Sequence, residues 1–217
     1  VLRERIRTGF TTTYRPSYYN FHRFNVSYIQ NNINDTIAVI NPDYFLDGRT
    51  MQRFISMSYT FRSDLRDIQA YPLKGYYMEA SVTQNGVGLF GDLNQTLLQF
   101  NYSKYYDLGK RFFFAGSIIG SSSFPEVQPY RNLNGLGFNQ IFMRGYEIYV
   151  IEGQHYIMNN NSVRRLLFST ERDLSSLTLA REFNRIPLDF YITAFFDHGY
   201  VANYINYSQN ALFTDTY

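Results

Sequence analysis

Alternation with a period of two is the feature that most restricts what this chain can fold into. Segments of roughly nine to fourteen residues switch between apolar and polar side chains at each step, and turn-type residues separate them, as in strands tilted through a bilayer. Successive side chains of a strand point to opposite faces, so each segment has one apolar and one polar face. The clearest runs from Met51 to Asp64. One face reads Arg53, Ile55, Met57, Tyr59, Phe61; the other reads Gln52, Phe54, Ser56, Ser58, Thr60, Arg62, Asp64.

The same division recurs along the chain. Tyr76, Met78, Ala80 and Val82 oppose Tyr77, Glu79, Ser81, Thr83 and Asn85, while Thr96, Leu98, Phe100 and Tyr102 oppose Gln95, Gln99, Asn101 and Ser103. Phe112, Phe114 and Ile118 line one face of the next segment. In the last, Leu188, Phe190, Ile192, Ala194 and Phe196 point outward against Asp189, Tyr191, Thr193, Phe195 and Asp197. Two early segments have polar sides of Arg5, Arg7, Thr11, Thr13 and of Arg23, Asn25, Ser27. A strand is also expected from His155 to Phe168, where Asn159, Asn160 and Asn161 interrupt the alternation. In a soluble β-sandwich or lipocalin-like barrel the apolar face turns inward. An inner face of Arg, Asp, Glu, Gln and Asn is too costly to bury that way. The pattern therefore predicts an all-β fold, a transmembrane antiparallel β-barrel with about eight strands present.

The connections are expected to alternate short and long, as in membrane barrels. Pro16 to Asn20 is short, Asn31 to Thr50 long, Leu65 to Gly75 short, Gly86 to Asn94 intermediate, Asp107 to Lys110 very short, and Ser121 to Gly153 the longest. Glu171 to Arg185 breaks the scheme, being longer than a periplasmic turn requires. No boundary or repeat divides residues 1–217, which read as a single domain. A strand is already under way at Val1, so the chain reads as an internal piece of a longer barrel.

No apolar run approaches the length of a membrane helix, which excludes a helical membrane protein. With 21 Tyr and 20 Phe, the aromatics suit interfacial girdles, and Tyr71, Tyr76, Tyr77, Tyr102, Tyr105 and Tyr106 are read in that role. A net charge of +2, with no basic run interleaved with aromatics, argues against a nucleic-acid partner. The absence of cysteine removes disulfides, thiolate metal sites and cysteine nucleophiles. His22, His155 and His198 stand on separate segments without metal-ligand spacing, and no G-x-S-x-G, H-E-x-x-H or phosphate loop occurs. No catalytic residue, metal site or cofactor is therefore expected, and the chain is not read as an enzyme.

Three short motifs remain. Asp64-Leu65-Arg66-Asp67 is followed by Tyr71-Pro72-Leu73-Lys74-Gly75; Met143-Arg144-Gly145-Tyr146 lies in the longest polar loop; Phe196-Asp197-His198-Gly199 closes the last strand. A guanidinium taken into a partly dehydrated lumen needs an acidic partner, and its planar fork can receive a carboxylate bidentately. Gly145 allows the unusual dihedral a loop tip needs. Pro72 and Gly75 fit a tight turn, with Asp64, Arg66 and Asp67 as a charge cluster at the rim.

In order, spacing and strand context these motifs resemble the BamA/TamA superfamily of outer-membrane assembly barrels, over essentially the whole chain. The first resembles the family's strand–turn–strand hairpin, the second its V/I-R-G-F/Y loop signature, and the third its F-D-x-G strand motif. The resemblance implies that the Ser121 to Gly153 loop folds into the lumen and that Asp197 receives Arg144. It also implies that the strands present correspond to the central ones of a barrel of about sixteen. It further implies a protein of the bacterial-type outer membrane that inserts, assembles or translocates other proteins. Its partners would be the lipid bilayer, client outer-membrane proteins and periplasmic or lipoprotein accessory subunits. Two departures stand out. Met143 replaces a β-branched residue, and the strand after the loop offers Asn161, Ser162, Val163, Arg164 and Arg165 where the family often has an acidic residue. A passive diffusion channel, or the barrel anchor of a surface-displayed upstream enzyme, are the alternative readings.

Overall fold

The computed structural model describes residues 3–133, 135–137, 141, 143–145, 148–173 and 185–204. Eight strands form one antiparallel sheet in sequence order: β1 (Arg3–Tyr14), β2 (Asn20–Ile33), β3 (Met51–Asp64), β4 (Gly75–Asn85), β5 (Gln95–Gly109), β6 (Phe112–Phe124), β7 (His155–Asp173) and β8 (Arg185–Ala202). Each pairs with the next, so among the described residues the sheet is an open meander with β1 and β8 at its edges. The only α-helix among them is α1 (Asp35–Ile40) in the β2–β3 loop, capped by Asn34, whose side chain accepts from the Thr36 amide at 3.1 Å. No helix of the described residues is long and apolar enough to cross a membrane.

Turn chemistry explains where the strands reverse. Between β5 and β6, Lys110 and Arg111 have φ of 51° and 67°, the two positive values a tight hairpin turn needs to match strand twist. At the start of β4, Gly75 has φ 98°, and a Cβ there would lie 2.0 Å from the Leu65 carbonyl oxygen. Only glycine fits.

The β6–β7 loop packs on one face of the sheet, which is therefore the inner one. That face buries Ser27, Asn31, Gln52, Ser56, Asn85, Gln95, Ser103, Ser121, Ser123 and Ser162. The opposite face leaves Phe24, Met57, Val82, Leu98, Phe100, Ile118, Ile157, Val163 and Ile192 exposed. This is the reverse of a soluble sandwich. Apolar clusters are small: Ile29, Phe54 and Leu93 form one, Ile33, Ala38 and Phe45 another under α1, and Leu136, Tyr156 and Met158 a third.

Three expectations need correction. β7 crosses the asparagine run without a break: Asn160 pairs with Asp197, and Asn159 on the outer face donates to the Ser117 carbonyl at 2.9 Å. The Asn159 and Asn161 side chains find partners within the sheet, while the buried Asn160 Oδ1 has none among the described residues. The long turn from Glu171 to Arg185 is partly strand, since pairing between β7 and β8 continues, past a bulge between Leu166 and Phe168, to Asp173 and Arg185. Residues 174–184 lie outside those described. Finally, the tyrosines do not form one girdle. Alternation turns Tyr76, Tyr102 and Tyr106 outward but Tyr77 and Tyr105 inward, and Tyr71 packs against inward-facing Tyr191 at a ring distance of 5.1 Å.

Candidate functional site

The β6–β7 loop is tied to the inner face at its root before it reaches the arginine. Ser123, Gln128 and Gln154 are fully buried there. Ser123 Oγ donates to Gln128 Oε1 at 2.6 Å. Gln95 Nε2, from β5, reaches Ser123 Oγ and Gln128 Oε1, both at 2.9 Å, and the Asn132 carbonyl at 3.1 Å. Asn85 Nδ2 completes the chain by donating to Gln95 Oε1 at 2.9 Å. Gln154 Nε2 closes the other end of the loop onto the carbonyls of Pro125 and Glu126. Nearby, Tyr130 donates to Glu152 at 2.6 Å, and burial followed by this bond pushes the phenol pKa up. A network in which each buried amide has a partner fixes geometry strongly, because losing one partner leaves the others unpaired.

Farther along, backbone proximity takes over. Leu136 bridges to Ile151, and at Gly135 a Cβ would meet the Ile151 oxygen at 1.9 Å. Met143 packs with Ile119, Ile141 and Val201 around Leu136, Tyr156 and Met158. Gly199 leaves space for this packing, since its Cβ would meet Leu136 Cδ1 at 3.1 Å.

Arg144 follows. Its Nε donates to Asp197 Oδ2 at 2.6 Å, and its terminal nitrogen donates both to Asp197 Oδ1 and to the Asn161 carbonyl at 3.2 Å. The Asp197 side chain is 2% exposed, so the guanidinium supplies the compensation that a buried carboxylate requires. The guanidinium also lies 4.4 Å from the centre of the Phe195 ring. Gly145 has φ 87° with open space around it, so its contribution is the left-handed dihedral rather than a close approach. Tyr146 lies outside the described residues.

The structure thus brings Arg144, Asp197, Met143 and Gly199 to one place, but not Phe196. Neighbours on a strand face opposite ways, and Phe196 is exposed on the outer side beside His198. The aromatic partner of Arg144 is Phe195, whose inward position is readable from the alternation. The Asn161 carbonyl stands where an acidic side chain is absent from β7.

The β3–β4 hairpin forms a second polar centre. Arg66 grips Asp64 with Nε at 2.8 Å and a terminal nitrogen at 2.7 Å, and Arg62 adds a contact at 3.2 Å. Asp67 does not join this pair. Its carboxylate accepts from the Ile68 amide at 2.9 Å and the Leu73 amide at 3.1 Å, holding the turn instead. Burial alone would raise the Asp67 pKa, but the amides of Ile68, Leu73 and Lys74 outweigh it and hold the carboxyl below its usual range. Arg164 of β7 donates to the Pro72 carbonyl at 2.9 Å and covers Tyr71, which joins this hairpin to the strand that follows the loop. No group of three or more His, Cys, Asp or Glu able to hold a metal occurs among the described residues.

Meander topology, inverted polarity and a long loop folded onto the inner face together define a barrel-type all-β fold. In that fold the chain is similar to BamA from Haemophilus ducreyi, in a crystal structure lacking POTRA domains 1–3, with a TM-score of 0.64. The two share 11% sequence identity, and the match covers 93% of this chain and 42% of that one. The likeness is therefore one of fold, and the chain spans less than half the length of its neighbour. No family model and no curated protein matches the sequence.

Proposed function

We propose that this chain is the central part of an outer-membrane β-barrel that inserts, assembles or translocates other proteins. In this reading its β6–β7 loop is held in the lumen by Arg144 and Asp197. The observation that carries the reading is the two-pronged contact between a loop arginine and a β8 aspartate on a BamA-like fold. A wall of apolar side chains facing away from a polar interior supports placement in a bilayer of the bacterial-type outer membrane. Client barrels, and periplasmic or lipoprotein accessory subunits, would be its partners. No bond is made or broken; client strands would pair with exposed strand edges of the complete barrel.

The polar inner face equally favours a second reading, a passive diffusion channel. Depletion of the protein in its host separates the two. Loss of several unrelated outer-membrane barrels, restored by the wild-type chain but not by Arg144→Ala, is the expected result. Unchanged levels of those barrels, together with steady single-channel conductance, would replace assembly with the channel.

A further inference from the structure

The loop arginine Arg144 has its carboxylate, but a second group of guanidiniums on the inner face has none. A cavity of about 310 Å³ opens between the inner faces of β1 to β5 and the β6–β7 loop. Arg5 and Arg7 line it from β1 and Arg131 from the loop, with Asn31, the register partner of Arg5 on β2, and Asn85 and Gln95 farther along the same sheet face. Arg5 lies within electrostatic range of Arg131, Arg7 and Arg3. None of Arg5, Arg7 or Arg131 makes an ion pair or hydrogen bond with another described residue.

The wall amides are already committed. Asn31 Nδ2 donates to Gln52 Oε1 at 3.3 Å and Asn85 Nδ2 to Gln95 Oε1 at 2.9 Å. The Ser56 hydroxyl and the Asn132 side chain also face the cavity, but its charged donors are guanidinium N–H groups, which match the oxygens of a phosphate or similar oxyanion in charge and in fork geometry. Arg5 and Arg7 are exposed, so solvent partly screens their repulsion, and an anion held between them and Arg131 lowers what remains.

We propose that this cavity is an oxyanion-binding site, taking a phosphate group either free or carried on a lipid, with Arg5, Arg7 and Arg131 as its ligands. The site does not rest on the assembly reading, since a channel would contain it equally.

Calorimetric titration of the full chain with inorganic phosphate tests it, in nanodiscs of phosphatidylcholine with or without phosphatidic acid. Saturable phosphate binding is expected. Arg131→Gln and Arg7→Gln should each weaken it about tenfold, the loss of a charge-assisted hydrogen bond. Arg23→Gln, on the inner face but outside the cavity, should leave it unchanged. Weakened phosphate binding only in discs with phosphatidic acid would assign the site to a lipid phosphate, and equal binding in both to a soluble one; either result supports the site. No saturable binding by the wild-type chain in either disc would overturn it, whatever the folding of the variants. So would a loss in Arg23→Gln equal to that in Arg131→Gln.

Discussion

Arg144 and Asp197, 53 residues apart in sequence, meet through two hydrogen bonds that join the β6–β7 loop to the inner face of β8. The carboxylate is almost wholly enclosed, while about a third of the arginine side chain remains exposed. Each group is costly without the other, which makes the pair a strong determinant of where the loop lies.

Replacing Arg144 by Lys tests whether geometry or charge matters. An ammonium keeps the charge but cannot reach both carboxylate oxygens and the Asn161 carbonyl together. Arg144→Lys should retain part of the protection of the loop against proteinase K, falling between wild type and Arg144→Ala. Full protection in Arg144→Lys would make the fork irrelevant.

Ala80 and Ser81 are neighbours on β4 that face opposite ways, Ala80 between Phe61 and Phe100, Ser81 bonded to Gln99. If the outer face meets lipid, Ala80→Arg should cost about 2–4 kcal/mol and Ser81→Arg much less. Urea unfolding of the chain in lipid vesicles measures both. Equal costs would remove the bilayer from the outer face.

Gly75→Ala should destabilise the β3–β4 hairpin by on the order of 1–3 kcal/mol, since its φ of 98° and the nearby Leu65 carbonyl leave no room for a methyl group. Gly91→Ala, with open space around it, serves as the control. The unfolding midpoints of the two variants should separate clearly.

The turn held by Asp67 should respond to acid. Its folded pKa lies below the ordinary 3.8, so the contribution is fully present above that value and is lost as pH falls through the lower folded one. The amide resonances of Ile68 and Leu73 should shift together as pH drops from about 5 to about 2 and stay still in Asp67→Asn. Movement in both proteins would assign the change to another group.

Much of this was legible in the sequence because alternation is a local property. The inner and outer sets of β3, β4, β5 and β8 follow from period two alone, as does the inward direction of Phe195 and Asp197. The β6–β7 root was not legible. Gln95 is recognisable as an inner-face polar residue, but Ser123 falls in the stretch read as loop, and nothing in the spacing indicates that Ser123 and Gln128 are its partners or that Gln154 holds the Pro125 and Glu126 carbonyls. Tyr71 and Asp67 lie in a turn, where no periodicity assigns direction, and their contacts depend on tertiary structure. The continuation of β7 to Asp173 was obscured by its bulge at Leu167, which shifts the alternation by one residue.

A double-mutant cycle on the loop reports most directly on the central claim. The folded chain in lipid vesicles is digested with proteinase K, and the cleavage rate of residues 125–154 is compared in wild type, Arg144→Ala, Asp197→Ala and the double variant. Removing either partner should loosen the loop by about 2 kcal/mol, less than for a fully enclosed pair because Arg144 keeps contact with solvent. The double variant should be no more cleavable than either single one, since the pair fails as a unit. A double variant whose rate reflects the sum of two independent losses would contradict the account, leaving Arg144 and Asp197 as separate residues rather than one latch.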